Sequence, residues 1–188
     1  MTNNIHDIIR QRRSIYPLEF NGQVLDNSIV KQLLEDAHWA PNHYLNLPWH
    51  FLVLTGASMH NWLNKVLEIE QVTASSDPKK FNKIDVFKQK ISHAIVIVQN
   101  TTDHPKAKAF EDALAIGAAV QNMYLGLSAY EHVGGYWSTG LCNNHADMKA
   151  HFNLSEQQQM LGYFIIGGVD QKRTASNRAS VDAHIQFL

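Results

Sequence analysis

The segment at residues 107 to 131 constrains the fold of this 188-residue chain most, because it reads as one long helix without a polar face. It includes ALAIGAAVQNMYLGLSAY, in which nearly every residue is apolar or small. Such a helix is buried on most sides, and in a chain of this size burial usually requires a partner subunit as well as the chain's own sheet. Because Gly117, Ala118 and Gly126 permit close packing, we predict a homodimer; a central core helix in a monomer is the alternative.

The rest of the chain alternates between helical and strand patterns. Helical spacing of apolar residues is found at residues 5–12, 29–37, 59–67 and 146–152. Runs typical of buried strands lie at residues 49–56, 94–99 and 163–168. We interpret residues 72–83 as a polar, mobile connection and 133–145 as a turn-rich segment. This order favours an α/β or α+β class, with a mixed sheet of few strands and many flanking helices, in one domain over residues 1–188.

Composition excludes several classes of protein. Sixteen Lys and Arg against seventeen Asp and Glu give a formal net charge of -1, so no broad basic field attracts nucleic acid or an anionic membrane. Cys142 is the only cysteine, which excludes an intramolecular disulfide and a cysteine-rich zinc site. The sequence lacks a signal-peptide pattern and any run of about 18 apolar residues, and we therefore expect a cytoplasmic protein.

Familiar catalytic motifs are missing from the sequence. It has no G-x-x-x-x-G-K-[ST], G-x-G-x-x-G, G-x-S-x-G or H-E-x-x-H pattern, and no carboxylate pair stands out as an acid/base couple. Eleven histidines raise the question of a metal, but His145 and His151 lack the i, i+4 spacing that would align them on a helix. We therefore predict no metal site, because exposed or hydrogen-bonded histidines are the commoner case.

Three clusters of polar and aromatic residues remain as candidate binding segments. Residues 12–14, RRS, place two guanidinium groups and a hydroxyl at a helix end, which suits a phosphate; two arginines that cap the helix are the alternative. Residues 38–51, HWAPNHYLNLPWHF, offer amide and imidazole groups to the edge of a heterocycle in a connection made rigid by prolines. Residues 134–140, GGYWSTG, allow close backbone approach to a ligand beside aromatic rings, or else form a simple loop with core aromatics.

With these clusters the chain resembles the FMN-dependent nitroreductase family, in the subgroup with an APNH and PW pattern. The resemblance rests on RRS, APNHYLNLPWHF, IGAAVQNMYLGLSAYEHVGGYWSTG and LGYFIIGGVD, which occur in the family's order over nearly the whole chain. It implies an α+β, three-layer α-β-α fold with a mixed central sheet, and a homodimer that binds FMN at the subunit interface. NADH or NADPH is then the co-substrate, and no nucleic acid or membrane partner is expected.

The resemblance also implies a set of cofactor-binding residues. Arg12, Arg13 and Ser14 would hold the phosphate and ribityl chain, and His43 and Asn46 would approach the flavin from the partner subunit. The remaining expected contacts are Trp39, Trp137, Ser138, Thr139, Gly140, Lys172 and Arg178. No side chain is expected to be catalytic, because the chemistry occurs at flavin N5, towards which the backbone of Thr139 or Gly140 points. Leu47, where many relatives carry Gln, and Trp39, where some carry Arg, depart from the family's pattern.

The implied activity is a ping-pong transfer of a hydride from NAD(P)H through FMN to a nitroaromatic, a quinone or a similar planar acceptor. Two alternatives remain open at the level of sequence. One is a flavoenzyme of the same fold with a different reaction, such as a dehydrogenase or a dehalogenase. The other is a flavin-binding dimer without significant turnover.

Overall fold

A computed structural model describes residues 4–73, 78–101, 105–106, 108–173 and 177–188. Its helices are α1 (Ile5–Gln11), α2 (Asn27–His38), α3 (Gly56–Thr73), α4 (Pro78–Lys90), α5 (Ala109–Gly126) and α6 (Ala146–His151). Its strands are β1 (Trp49–Thr55), β2 (His93–Asn100), β3 (Val133–Ser138) and β4 (Gln158–Gly168). Short 3-10 turns cover Pro17–Glu19, His43–Leu45, Leu127–Ala129 and Val181–His184. No helix in these described ranges has the length and apolarity needed to cross a membrane.

The four strands form one sheet in the order β1-β2-β4-β3, and all three pairings are antiparallel. The α+β class is confirmed, but the prediction of a mixed sheet is wrong for the described strands. Between β1 and β2 the chain passes through two helices, α3 and α4, which return it to the end of the sheet where β1 finished. Thr55 at the end of β1 therefore pairs with His93 at the start of β2.

Two apolar clusters, one on each face of the sheet, give the predicted three layers. On β2, Val96 packs with Trp62 and Leu63 of α3, whereas Ile95 packs with Ile116 of α5 on the opposite face. This alternation follows from the two-residue period of a strand, and β2 is buried on both faces because helices cover both. Burying one such large side chain stabilises the fold by about 1.5–3 kcal/mol.

Strand β3 lies in the segment that the sequence presented as turn-rich, so that interpretation is wrong for residues 133–138. Its two glycines hide the strand pattern, and the packing explains why they are there. A Cβ on Gly134 would lie 2.9 Å from a Val169 methyl group, and one on Gly135 would lie 2.6 Å from a Leu127 methyl group. The strand therefore requires glycine where side chains from both faces reach its backbone.

Other predicted boundaries also shift. Residues 78–83, assigned to a mobile connection, form the first part of α4, while residues 74–77 lie outside the described residues. The long apolar helix ends at Gly126, five residues before the predicted Glu131, and continues only as a 3-10 turn. Strand β1, predicted to be buried, is an edge strand on which Val53 is 42% exposed. Helix α2 is confirmed, with the Asp26 carboxylate accepting a hydrogen bond from the Ser28 backbone N–H at 2.8 Å.

A buried polar network joins the start of α2 to the start of β2. The Leu25 backbone N–H donates to Ser92 Oγ at 2.8 Å, and Ser92 Oγ lies 2.9 Å from His93 Nδ1. His93 Nε2 lies 2.9 Å from Asn27 Oδ1, and His93 is only 1% exposed. Burial lowers the pKa of His93, while the charge of Asp26 opposes this effect. The neutral imidazole is therefore the form that the fold accommodates.

Candidate functional site

The segment that follows α1 carries Arg12, Arg13 and Ser14 along the outer edge of β3. We call residues 12–16 the arginine arm. Helix α1 ends at Gln11, and the N–H of the next residue, Arg12, donates to the Ile8 carbonyl. Three residues later the Ile15 N–H donates to the Gly135 carbonyl at 3.0 Å. The arm is therefore fixed to the sheet by backbone hydrogen bonding, which brings the first and third predicted binding segments together.

The Tyr124 hydroxyl, on α5, is the point where the arginine arm and β3 meet. Ser14 Oγ donates to Tyr124 Oη at 3.1 Å, and the Trp137 backbone N–H donates to the same oxygen at 2.7 Å. The Arg12 guanidinium lies 4.9 Å from the centroid of the Tyr124 ring, which is a cation–π contact. One side chain thus orders Arg12, Ser14 and the end of β3 against one another.

The two arginines of the arm have different surroundings. The Arg13 guanidinium donates to the Arg10 carbonyl at 2.9 Å and also to the Arg12 carbonyl. It therefore satisfies carbonyl groups at the end of α1, as the helix-capping alternative requires. Arg12 instead lies over an aromatic ring and reaches Ser14 Oγ at 3.5 Å. The two guanidinium groups therefore differ in their partners, since Arg13 binds backbone carbonyls and Arg12 lies against side chains of the Tyr124 network.

A cavity of about 330 Å³ opens beside the arginine arm. Its lining includes Arg12, Arg13, Tyr124, Gly135, Lys172 and Arg173. The Lys172 ammonium donates to the Leu127 carbonyl at 2.9 Å, and burial lowers the pKa of Lys172. A bound anion would oppose that effect, because an opposite charge favours the protonated amine. Four basic side chains and one carboxylate, Glu131, line this cavity beside glycine backbone, and this excess of positive charge fits a phosphate group.

The basic residues of the C-terminal segment border two different cavities. Lys172 and Arg173 both line the cavity just described, and Arg173 Nε is also 2.7 Å from Glu19 Oε2 in an ion pair. Arg178 lines a neighbouring cavity of about 700 Å³, which Arg12 and Arg13 also border. The structure thus places the predicted Lys172 and Arg178 in two different cavities, each of which Arg12 and Arg13 border.

The segment after β3 forms a tight turn that includes Thr139 and Gly140. The Gly140 N–H donates to Ser138 Oγ at 3.3 Å, and Trp137 Nε1 donates to the Leu161 carbonyl at 3.1 Å. Thr139 and Gly140 are exposed. Below them β4 passes very close: Gly162 has a φ of +122°, and a Cβ there would overlap the Ser138 carbonyl. Glycine at 162 therefore allows this turn to sit against the sheet.

The second predicted segment forms a separate structure, residues 40–47, which we call the His43 loop. Asn42 ties it together, since its Nδ2 donates to the Ala40 carbonyl at 3.2 Å and its Oδ1 accepts from the Leu47 N–H at 3.1 Å. Tyr44, Leu45 and Leu47 have positive φ angles of 55°, 53° and 46°, which are unfavourable for L-residues. Tyr44 and Leu45 are also exposed. The loop is therefore ordered but strained.

Two carboxylates at the start of α5 anchor the His43 loop. His43 Nδ1 is 2.9 Å from Glu111 Oε2, and Asn46 Nδ2 donates to Asp112 Oδ1 at 2.6 Å. Asp112 is 1% exposed, and its Oδ2 has no hydrogen-bond partner within the described part of the chain. The His43 hydrogen bond, aided by one from the Lys108 backbone, lowers the pKa of Glu111. Both anchors join side chains far apart in sequence.

The arginine arm and the His43 loop lie at opposite ends of α5. Asp112 contacts the loop and Tyr124 contacts the arm, and their separation of twelve positions along the helix corresponds to about 18 Å. Trp39, 84% exposed, lies apart from both anchors in a shallow groove with Ile8 and Asn122. One protomer therefore does not bring all predicted contacts to one place.

The model of the "Nitroreductase family" matches residues 9–168 of this sequence. The chain belongs to the nitroreductase family. The match begins within α1 and ends with β4, so it includes the arginine arm, the His43 loop and the turn after β3. The predicted family is thus confirmed.

Relatives of this nitroreductase-family chain are similar over most of their length. A protein of Escherichia coli (strain K12) with the provisional name NAD(P)H nitroreductase YdjA is 26% identical over 147 residues, covering 78% of this chain and 79% of that protein. The crystal structure of a nitroreductase-like family protein from Bacillus cereus has a TM-score of 0.85 at 25% identity, covering 100% and 97% of the two chains. The FMN-dependent nitroreductase NfnB from Mycobacterium smegmatis, solved with NADPH, has a TM-score of 0.74 at 16% identity, covering 98% and 97%.

Sequence reasoning missed Tyr124, Glu111 and Asp112. Tyr124 gave one signal, since a tyrosine inside an apolar helix needs a partner for its hydroxyl. Glu111 and Asp112 stand in the first turn of α5, where acidic residues are ordinarily explained by the helix dipole. In the described residues no group of three or more His, Cys, Asp and Glu side chains is placed to hold a metal ion.

Proposed function

We propose that the protein is a homodimeric, FMN-dependent oxidoreductase that transfers a hydride from NADH or NADPH to a nitroaromatic, a quinone or a similar planar acceptor. The cationic cavity beside the arginine arm is the observation that carries this proposal, because it offers a phosphate site next to the Tyr124 network. Support comes from the family and from relatives whose names specify NAD(P)H or FMN. We expect one flavin-binding domain over residues 1–188, acting in the cytoplasm.

In this proposal the arginine arm and Lys172 bind the phosphate end of FMN. Arg12 supplies the charge-assisted hydrogen bonds, while Arg13 contributes mainly by holding the arm against α1. Ser14 orients the ribityl end together with Tyr124. The turn from Trp137 to Gly140 directs its backbone towards the flavin ring. Lys172 and Arg178 complete the phosphate site from the two cavities that border the arm.

A second copy of the chain supplies the rest of the site. Two α5 helices that cross antiparallel about a two-fold axis place the start of one beside the end of the other. His43 and Asn46 of one protomer then approach the flavin held by the arginine arm of its partner. Support comes from the exposed face of α5, where Phe110 is 71% and Leu114 is 60% exposed. A Cβ on Gly117, between those ends, meets no described heavy atom within 4 Å.

Bound FMN supplies the redox chemistry, because it accepts a hydride from the nicotinamide and passes electrons to the second substrate. The chain's own residues bind it, orient it and supply positive charge that favours its reduced, anionic form. Donor and acceptor use the same place in turn, which gives a ping-pong cycle.

An anaerobic bleaching experiment tests the proposal. The purified protein should be yellow and release FMN rather than FAD, and NADH or NADPH should bleach it within seconds. Menadione or nitrofurazone should then restore the colour. A yellow protein that millimolar nucleotide does not bleach would be a flavin-binding dimer without turnover, and stoichiometric FAD would contradict the proposed phosphate site.

A further inference from the structure

The His43 loop holds an imidazole in a defined orientation at its rim. The side chains of His43 and Glu111 are 45% and 34% exposed, and the Nδ1–Oε2 distance is 2.9 Å. A carboxylate at Nδ1 keeps a proton on that nitrogen, so Nε2 is the atom that exchanges protons with other groups. The Tyr44 ring stacks on the imidazole at 4.3 Å between centroids, which restricts its rotation.

The anchoring of the loop suits a group that must stay in position during a reaction. Asn46, three residues after His43, is fixed by the buried Asp112 carboxylate, and Asn42 closes the loop by two hydrogen bonds. The two residues of α5 that hold the loop, Glu111 and Asp112, are neighbours in the first turn of that helix. A strained loop persists only where its surroundings hold it, and strain of this kind is concentrated at functional sites.

We propose that His43 donates a proton to the electron acceptor during its reduction, and that Glu111 is the positioning residue that orients the imidazole. The inference rests on the function proposed above, which places the His43 loop at the partner's flavin. It adds a side chain to a reaction that the family resemblance leaves to the cofactor alone.

Reduction of the acceptor consumes a proton, which His43 would supply. A quinone becomes a hydroquinone when it gains one hydride and one proton. The reduced nicotinamide nucleotide is the source of the hydride, by way of the bound cofactor. The proton leaves Nε2 of His43, so that one N–H bond breaks as an O–H bond forms on the acceptor. The neutral imidazole then regains a proton from the solvent. Throughout, the Nδ1–H group of His43 stays hydrogen-bonded to Glu111.

Charged and titratable groups face His43 from the start of α5. From α5 and the residue before it, Glu111, Asp112 and Lys108 face this part of the loop, and Tyr44 stacks on the ring. Two of these groups are carboxylates and one is a cation, and the nearest is the Glu111 carboxylate. The His43 hydrogen bond also holds the pKa of Glu111 below its usual value, so the carboxylate stays ionised.

The test compares two oxidants in single-turnover experiments on FMN-saturated protein. Menadione takes a hydride and a proton, whereas ferricyanide takes electrons alone. His43→Gln should slow reoxidation by menadione about a hundredfold, the usual scale of general acid catalysis, and leave reoxidation by ferricyanide unchanged. His60→Gln, which removes an exposed histidine on α3, is the matched control and should change neither rate. Equal menadione rates in His43→Gln and wild type would overturn the proposal.

Glu111→Gln tests the positioning role. It should slow reoxidation by menadione and leave reoxidation by ferricyanide unchanged, because the imidazole loses the carboxylate that orients it. ¹⁵N NMR of the neutral imidazole of His43 in the FMN-free protein should show the proton held on Nδ1 in the wild type and a mixture of the two tautomers in Glu111→Gln, without any turnover. An unchanged tautomer together with an unchanged menadione rate would reduce Glu111 to a purely structural role.

The role of His43 can be tested even if the proposed nicotinamide donor is wrong. Photochemical reduction of the bound FMN prepares the reduced protein without a nicotinamide nucleotide. If NADH and NADPH fail to bleach the wild type, the proposed donor is wrong, but the menadione and ferricyanide comparison still decides the role of His43.

Discussion

The arginine arm and the His43 loop are two binding segments built on opposite ends of one helix, and they are stabilised differently. The arm is fixed to the sheet through Ile15 and to α5 through the Tyr124 hydroxyl. The loop contains three residues with unfavourable backbone angles and depends on the carboxylates Glu111 and Asp112. The arm therefore resembles a preformed pocket wall, whereas the loop is held in place by a few polar contacts. We expect changes at the arm to affect ligand affinity and changes at the loop to affect assembly and reaction.

The largest expected effect concerns the proposed dimer interface, where the arginine arm of one protomer meets the His43 loop of its partner. Gly117→Leu should preserve the protomer, because a Cβ there meets no described atom within 4 Å and leucine favours helix. It should block close approach of a second α5 and so remove the partner's contacts to FMN. Losing two hydrogen bonds of about 1.5 kcal/mol each corresponds to about a hundredfold weaker FMN binding. Analytical ultracentrifugation with an FMN titration measures both; a monomer that binds FMN tightly would show that one protomer forms the whole site.

The next effect distinguishes the two arginines of the arm. Arg12→Ala should weaken FMN binding by about ten- to a hundredfold, since a hydrogen bond to a charged group contributes about 1.5–3 kcal/mol. Its apoprotein should melt at the wild-type temperature. Arg13→Ala, the matched control, should lower the melting temperature of the apoprotein and change FMN affinity less, because Arg13 binds carbonyls at the end of α1. The reverse result would assign the phosphate to Arg13. The measurements are flavin fluorescence titrations and thermal melts.

At the loop, Asn46→Ala should destabilise the protein by about 1–3 kcal/mol, because it leaves the buried Asp112 carboxylate without its amide donor. The double variant Asn46→Ala/Asp112→Ala should be destabilised by less than the sum of the two single variants, since it removes both partners. Urea unfolding of the apoprotein gives these free energies of unfolding. Strictly additive values would mean that this contact does not anchor the loop.

The smallest effect concerns a titratable group of the fold, His93, that lies in neither segment. Burial lowers the pKa of His93, so the unfolded chain binds a proton at His93 where the folded protein does not. The stability due to neutral His93 is complete above its unfolded pKa, near 6.5, and is lost as the pH falls towards the lower folded value. The loss has a limit of about 1.4 kcal/mol per pH unit. Denaturant unfolding at pH 8 and pH 5 should show less pH dependence in His93→Gln than in wild type; equal dependence would exclude His93 as the cause.

Elements of the fold were predictable from the sequence where residues close in the chain determine them. Helix α2 follows from the Asp26 cap and the spacing of Val30 and Leu33, all of which act within a few turns. Helix α5 and strand β2 follow from unbroken apolar composition. Strand β3 could not be predicted from local sequence. Its glycines, Gly134 and Gly135, are needed because Val169 and Leu127, which belong to other parts of the chain, pack against its backbone. Helix α4 was missed because a proline followed by lysines resembles a polar connection.

The candidate site was predictable only in its outline. Motif resemblance located the arginine arm, the His43 loop and the turn after β3. It did not reveal that Glu111 and Asp112 hold the loop, since those contacts join residues 68 and 66 positions apart. It also could not distinguish Arg12 from Arg13. The two differ only in what their guanidinium groups contact in the folded protein. Such pairings depend on how α5 packs against α2 and the sheet.

Helix α5 also fixes the rotational phase between the two segments. Asp112 and Tyr124 project from one continuous helix, so inserting or deleting a residue between them would turn one relative to the other by about 100° and shift it by about 1.5 Å. Neither anchor could compensate, because each contact is made at hydrogen-bonding distance on a fixed side of the helix. Homologous chains that keep both anchors should therefore vary freely in the loops around α5 but preserve the number of residues within it.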